Sequence, residues 1–340
     1  MASPYELNAN AREAHLHGCA VLRRNQSGAR DWQGVEFQLM SQSKRIVSVS
    51  LGSSQRDASS EVEFLGEKFT LERIGTDGDM EKASALLRDL DGKVAAFGLG
   101  GTDLQIVAGD KRYAFRDILN MTSGVHITPL LDGGGLKHTL ERQAVELLEP
   151  VIGWRGRKTV MVNAVDRFGM AQALAKAGAD VMYGDLVYGV GVDIPLRSAK
   201  ALETVASIVL PIVTRLPFKW FYPTGAQQNS AVRDWRQKYY RWAEVLAGDT
   251  HYIKRYAPER MDGKTLLTQT ITESDVAAFK AAGVKRLIAT TPKVNGRNYA
   301  TNVMEAMIVA LSGKNKALEP HEYLEYIKRL EFKPEVYELN

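Results

Sequence analysis

Between Lys158 and Asp185 the chain alternates in a way that leaves few topologies open. The apolar run KTVMVNAV ends in the loop DRFG, the segment MAQALAKAGA follows with helical spacing and a terminal Gly178, and residues 180–185 are again strand-like. Two short strands joined through a helix run parallel, and their crossover is right-handed. Parallel strands are buried on both faces, so helices must cover the sheet on each side. The alternation continues to the end of the chain: a helix over 199–213, strands at EVLAGD and GKTLLTQT, a helix at DVAAFKAAGV, a strand at KRLIATTP and a helix at NYATNVMEAMIVAL. This pattern predicts an α/β fold in which residues 151–318 form a Rossmann-like, doubly wound parallel sheet, with a C-terminal helix and tail over 319–340.

Ahead of it, 340 residues leave room for a second domain. Residues 44–150 read as an N-terminal α/β domain with a linking helix. A strand spans 46–51, and a hairpin turns at Gly66. Asp79 caps a helix that carries Ala83, Leu86, Leu87 and Leu90. Strands follow at VAAFGLGG and LQIVAGDKRYAFRD, the latter turning at Gly109-Asp110, and then at ITPLL. A long helix over 136–148 leads out of this domain. Residues 1–43 lack helical periodicity and read as an extension, with Met40 an alternative start.

Composition narrows the function classes. Lys and Arg number 44 against 40 Asp and Glu, with both signs dispersed, which favours neither a nucleic acid nor a membrane as partner. Cys19 is the single cysteine, so internal disulfides and thiolate metal clusters are excluded and a cytoplasmic location is expected. The six histidines show no dense ligand spacing, and no metal is expected.

In a doubly wound sheet the ligand lies at the carboxyl ends of the strands. There the sequence places Asn163, Ala164, Asp166, Arg167, Phe168 and Gly169 in the loop after the first strand. Gly169 suits close helix packing, and Arg167 can offer a guanidinium to phosphate. Asp185 closes the second strand at the offset where a carboxylate receives the ribose hydroxyls of NAD, which favours NAD over NADP. Thr290, Thr291 and Asn302 flank the same edge, as does Gly248-Asp249-Thr250-His251. The competing reading makes Asp185 a strand-end turn and Asp166-Arg167 a surface ion pair.

The passage Asp132-Gly133-Gly134-Gly135-Leu136-Lys137-His138-Thr139-Leu140-Glu141, continuing through GWRGRKTVMVNAV and MAQALAKAGADV, resembles the shikimate and quinate dehydrogenases over residues 128–185. The wider stretch from SVSLGSSQRD to ATNVMEAMIV resembles the bacterial quinate 5-dehydrogenases. The resemblance implies an NAD(P)-dependent oxidoreductase acting on a small hydroxy or oxo acid between two domains. It also implies that Asp132, with Gly133 and Gly135 beside it, matches the catalytic aspartate, and that Ser48 and Ser50 echo a grip on the substrate carboxylate.

From the residues themselves, hydride transfer needs a group that takes the alcohol proton. Asp132, Lys137 and His138 supply such groups on one segment, and His251 supplies another from the second domain. Asp103, in GLGGTD, and Lys219, in a segment of cations and aromatics, are candidates for holding the substrate. The alternative for DGGGLKH is a helix cap with a glycine turn. A nucleotide-binding regulator without catalysis, or a transferase using S-adenosylmethionine, would occupy the same fold, and a homodimer is left open.

Overall fold

The computed structural model describes residues 43–218, 231–294 and 297–340. Strand β1 (Lys44–Ser50) is the middle strand of the first sheet, and Ile46 to Ser50 are buried because β1 is paired in parallel on both sides. The hairpin expected at Gly66 forms from β2 (Ala58–Phe64) and β3 (Glu67–Gly75). Leu65 and Gly66 both take positive φ at its turn. Helix α1 (Met80–Leu90) starts where Asp79 accepts the Lys82 amide, and it buries Ala83 and Leu87.

Next come β4 (Ala96–Gly100), the small hairpin of β5 (Ile106–Ala108) and β6 (Lys111–Tyr113), α2 (Arg116–Thr122) and β7 (Leu130–Leu131). The first sheet runs β2-β3-β1-β4-β7. Helix α2 replaces the strand end expected at AFRD. The long helix expected over 136–148 is broken into α3 (Gly134–His138), α4 (Leu140–Leu147) and α5 (Glu149–Ile152). Thr139, at φ −112° and ψ −68°, parts the first two, and Pro150 lies in the first turn of the third.

The predicted β-α-β unit is present as β8 (Lys158–Met161), α6 (Phe168–Lys176) and β9 (Asp180–Tyr183), with β8 and β9 parallel. After a π-helical turn, Asp185–Val190, come α7 (Ala199–Val213), α8 (Gln237–Trp242), β10 (Val245–Ala247), α9 (Thr250–Tyr256), β11 (Thr265–Thr268), α10 (Glu273–Ala281) and β12 (Arg286–Ala289). A short ribbon, β13 (Lys293–Val294) and β14 (Arg297–Asn298), precedes α11 (Thr301–Ser312), α12 (Pro320–Arg329) and β15 (Glu335–Glu338). The second sheet runs β15-β12-β11-β10-β8-β9, parallel except for β15.

Helix α11 is apolar around most of its circumference, Asn302 and Glu305 apart, and every residue from Thr301 to Ala310 is buried, as such a helix requires. It packs on the first sheet: Met304, Met307 and Ile308 share a core with Ile46, Phe69 and Leu71. Residues 301–312 therefore belong by packing with the first sheet, which corrects their expected place within 151–318. β15 then returns the chain to the second sheet, so the expected C-terminal tail ends in a strand.

Candidate functional site

The loops after β4, β8, β10 and β11 meet in one buried chain of polar groups. Lys137 Nζ donates to Asp103 Oδ1 and Asp166 Oδ1, each at 2.5 Å, with the three side chains 10 to 18% exposed. Asn163 Nδ2 donates to Asp166 Oδ2 at 3.1 Å, and Asn163 Oδ1 accepts the Asp249 amide at 3.0 Å. Asp249 accepts Gln269 Nε2 at 2.7 Å and caps α9 through the His251 and Tyr252 amides. Burial would lower the Lys137 pKa, but the two facing carboxylates more than offset this and raise it. Burial and the neighbouring Asp166 charge raise Asp103, while Lys137 and Arg167 outweigh burial at Asp166 and hold it ionised.

These bonds reassign most of the expected site residues. Asp132 does not pair with Lys137. Its Oδ1 accepts the Gly134 amide at 2.8 Å, and its Oδ2 accepts the Leu104 amide at 2.7 Å, which braces the loop carrying Asp103. A Cβ on Gly133 would stand 2.5 Å from Thr301 Oγ1, and one on Gly135 would stand 2.3 Å from the Tyr323 ring. The glycines thus let α3 approach α11 and α12. His138 is half-buried beside Lys137, with its pKa lowered by burial and then by the Lys137 charge. His251 Nε2 lies 2.8 Å from Arg56 Nη1, so the ring accepts this bond.

The loop expected to cradle phosphates is already occupied by its own chain. Arg167 is 3% exposed and donates to Glu141, which is fully buried on α4. Ala164 and Phe168 are core residues. A Cβ on Gly169 would come within 2.8 Å of Lys137 O and 3.0 Å of His138 Cα, so this glycine admits α3. Asp185 Oδ1 accepts the Val165 amide at 2.9 Å and holds the loop in place. Asp166 sets an ionised carboxylate beside the start of α6, which repels a phosphate.

Thr291 donates to Gln269 O, and Thr290 is fully buried. Asn302 Nδ2 donates to Ser48 Oγ at 2.8 Å, a buried contact between α11 and β1 that joins an expected cofactor residue to an expected substrate residue. Ser50 Oγ accepts the Gly52 amide and Arg73 Nη2. Both serines are thereby engaged within the fold. Lys219 lies outside the described residues, as do Cys19 and residues 1–42 of the expected extension.

Beside the polar chain is a cavity of about 140 Å³ that sequence reading missed. Leu202, Ala206, Val209 and Val213 of α7 face Val165 and Leu186 across it. Asn163, Asp166, Asp185 and Tyr252 form its polar end. Among the described residues its lining contains neither Lys, Arg nor His. Burial raises the Asp185 pKa to about 7, and Asp185 Oδ2 is buried without a hydrogen-bond partner. The signal in the sequence was α7 itself, whose apolar residues exceed what one core-facing stripe requires.

A family model described as Domain of unknown function (DUF8754) matches residues 135–339, and one described as Domain of unknown function (DUF8753) matches residues 45–132. No curated protein matches the chain. Among solved structures it is similar to AraP, an arabinose binding protein from Geobacillus stearothermophilus, at 9% identity and TM-score 0.36, covering 73% of this chain and 82% of that one. It is also similar to a Caulobacter myo-inositol binding protein bound to myo-inositol, at 12% identity and TM-score 0.33, covering 86% of this chain and 93% of that one. A periplasmic ribose ABC transporter from Conexibacter woesei is similar at 9% identity and TM-score 0.34, covering 88% of this chain and 93% of that one. At these scores the likeness carries no ligand over to this chain.

The expected shikimate and quinate dehydrogenase kinship is corrected by these findings, since the family models that match residues 135–339 and 45–132 are not those of a dehydrogenase. The NAD(P)-dependent oxidoreductase reading, with its nicotinamide cofactor, falls with it. Its physical failing is the loop 163–169, whose guanidinium and glycine are consumed by Glu141 and α3. The cytoplasmic assignment is withdrawn as well: it rested on one cysteine, which rules out an internal disulfide but does not fix a compartment.

Proposed function

The chain belongs to the DUF8754 family, whose description names no activity, and we propose from its site that it binds a small molecule with an apolar body in the cavity between α7 and the loop 163–166. The observation that carries this reading is the cavity's makeup: apolar walls from α7, Val165 and Leu186, and a few polar groups converging at one end. That is the usual composition of a small-molecule site. Its place fits too, at the carboxyl ends of β8 and β9, where parallel sheets hold ligands.

The earlier expectation of an acid as ligand is replaced. Two carboxylates, Asp166 and Asp185, stand at the polar end, and a ligand carboxylate there would meet like charge. A cavity of about 140 Å³ takes a body about the size of a six-membered ring, since an apolar cavity of roughly 150 Å³ holds benzene.

A fragment collection screened by thermal shift and ligand-observed NMR tests the reading. Ring-sized fragments are expected to stabilise the wild type and to lose binding in Val209→Trp, which fills the cavity from the half-buried side of α7. Wild-type protein that no fragment stabilises, or fragments that bind Val209→Trp equally well, would refute it.

A further inference from the structure

The polar end of the cavity bears on the chemical class of the ligand, on the premise that the cavity binds one. We infer that the ligand carries an amine, whose ammonium pairs with the Asp185 carboxylate at the polar end of an apolar, ring-sized cavity.

The first support is an unmet bonding capacity. Asp185 Oδ1 is engaged by the Val165 amide, but Oδ2 is screened from water and has no partner. A buried carboxylate oxygen without a partner is costly, and a ligand donor that meets it on a small turn of the Asp185 side chain toward the cavity removes that cost.

The second is the sign of the local charge. Asp166, which shares the lining, is answered from outside the cavity by Lys137 at 2.5 Å. Asp185 has no such counterion: the charged neighbour that acts on it is Asp166, which is of like sign. With no cation in the described lining, an entering ammonium meets one uncompensated carboxylate and a second one nearby.

The third is desolvation. Burial holds the Asp185 pKa at about 7, so near neutral pH a cationic partner at the carboxyl is enough to make it release its proton to solvent. Binding of an already protonated amine then releases a proton from Asp185. No bond other than O–H is broken, and the proton leaves to solvent.

Cyclohexylamine, cyclohexanol and cyclohexanecarboxylate share one body and differ in the head group. Calorimetry at pH 8 is expected to rank the amine at least tenfold tighter than the alcohol, with the carboxylate weakest. Toward pH 6 the amine's advantage should shrink, and titrations in two buffers of different ionisation enthalpy should report proton release. In Asp185→Asn, where Oδ1 can still accept the Val165 amide, the amine's affinity should fall to that of the alcohol. Equal binding of amine and alcohol by the wild type, or an amine preference that survives in Asp185→Asn, overturns the inference and leaves the cavity reading standing. Failure of all three probes, in a protein that fragments of other shapes do not stabilise either, overturns both.

Discussion

The Lys137 ammonium lies 2.5 Å from the Asp166 carboxylate, joining α3 to the loop ahead of α6, two segments 29 residues apart in the chain. With Asp103 at the same distance on its other side, the lysine is the hub that ties the first sheet's loops to the second sheet's. Lys137→Met should leave Asp103 without its cation and Asp166 with only the more distant Arg167. Breaking a buried ion pair by removing one partner costs about 3–5 kcal/mol. The loss is expected in urea unfolding at pH 7. Asp103, whose pKa is already raised by burial and by the Asp166 charge, loses the cation that opposes this, so stability should recover as pH falls and it takes up a proton. A Lys137→Met protein as stable as wild type at pH 7 would show that the hub is solvated.

Gly169 is held by packing. Its missing Cβ leaves room for Lys137 O and His138 Cα, both backbone atoms that cannot swing aside. Gly169→Ala is expected to cost about 1–3 kcal/mol, the usual range for overpacking. Gly189→Ala, where a Cβ would meet nothing within 4 Å, is the control and should leave the melting temperature near that of wild type. Equal melting temperatures for both variants would contradict the close approach of α3 and α6.

His251 provides a test by pH. Burial is the main cause of its lowered pKa, with the Arg56 and Lys254 charges adding to it and Asp249 and Asp275 opposing. The folded state therefore favours the neutral ring, which accepts from Arg56. Below the unfolded histidine pKa of roughly 6.5 the unfolded chain binds more protons than the folded one, so stability falls as pH drops through that range. His251→Gln keeps an acceptor for Arg56 and cannot titrate, and its stability curve should be flatter over the same window. Parallel curves for the two proteins would mean that His251 titrates as it does in water.

How far the residues could be read in advance differs between fold and site. The parallel unit around β8, α6 and β9 was legible because strand and helix leave different periods in the sequence, and Asp79 and Gly66 mark their ends by the conformations they favour. The partners of the polar residues were not. Arg167 looks the same whether it faces a phosphate or Glu141, and nothing local shows that Glu141, in a polar-looking helix, is fully buried. Asp132 was read as catalytic, and the competing cap reading is the one its bonds to Gly134 and Leu104 match. The placement of α11 could have been inferred, because a helix apolar around most of its circumference needs cover over most of it. The first sheet supplies that cover through contacts more than 200 residues distant in the chain, such as that between Ser48 and Asn302.

The last prediction concerns Glu305, a buried acid in the middle of α11 that sequence reading passed over. Its Oε1 accepts the Tyr323 hydroxyl at 2.5 Å and the Gly135 amide at 3.1 Å, while Oε2 has no partner. Burial first, and the charge of Asp132 second, push its pKa from 4.5 to about 7. For an acid raised in this way, the contribution to stability is complete below the unfolded pKa and is lost as pH rises to the folded one. Wild-type stability should therefore decline between pH 4.5 and about 7, by on the order of 3 kcal/mol from this group. Asp185 titrates in the same range, so the quantity to measure is the difference between wild type and Glu305→Gln in urea unfolding across this window. Glutamine keeps an acceptor for Tyr323 and Gly135 and never ionises, so the variant should gain on the wild type steadily as pH rises. Asp132→Asn removes the second cause, and in that background the window should close at a lower pH. A difference curve that stays flat would show that Glu305 is ionised at every pH in the window and that its carboxylate is stabilised by more than the two donors seen at Oε1.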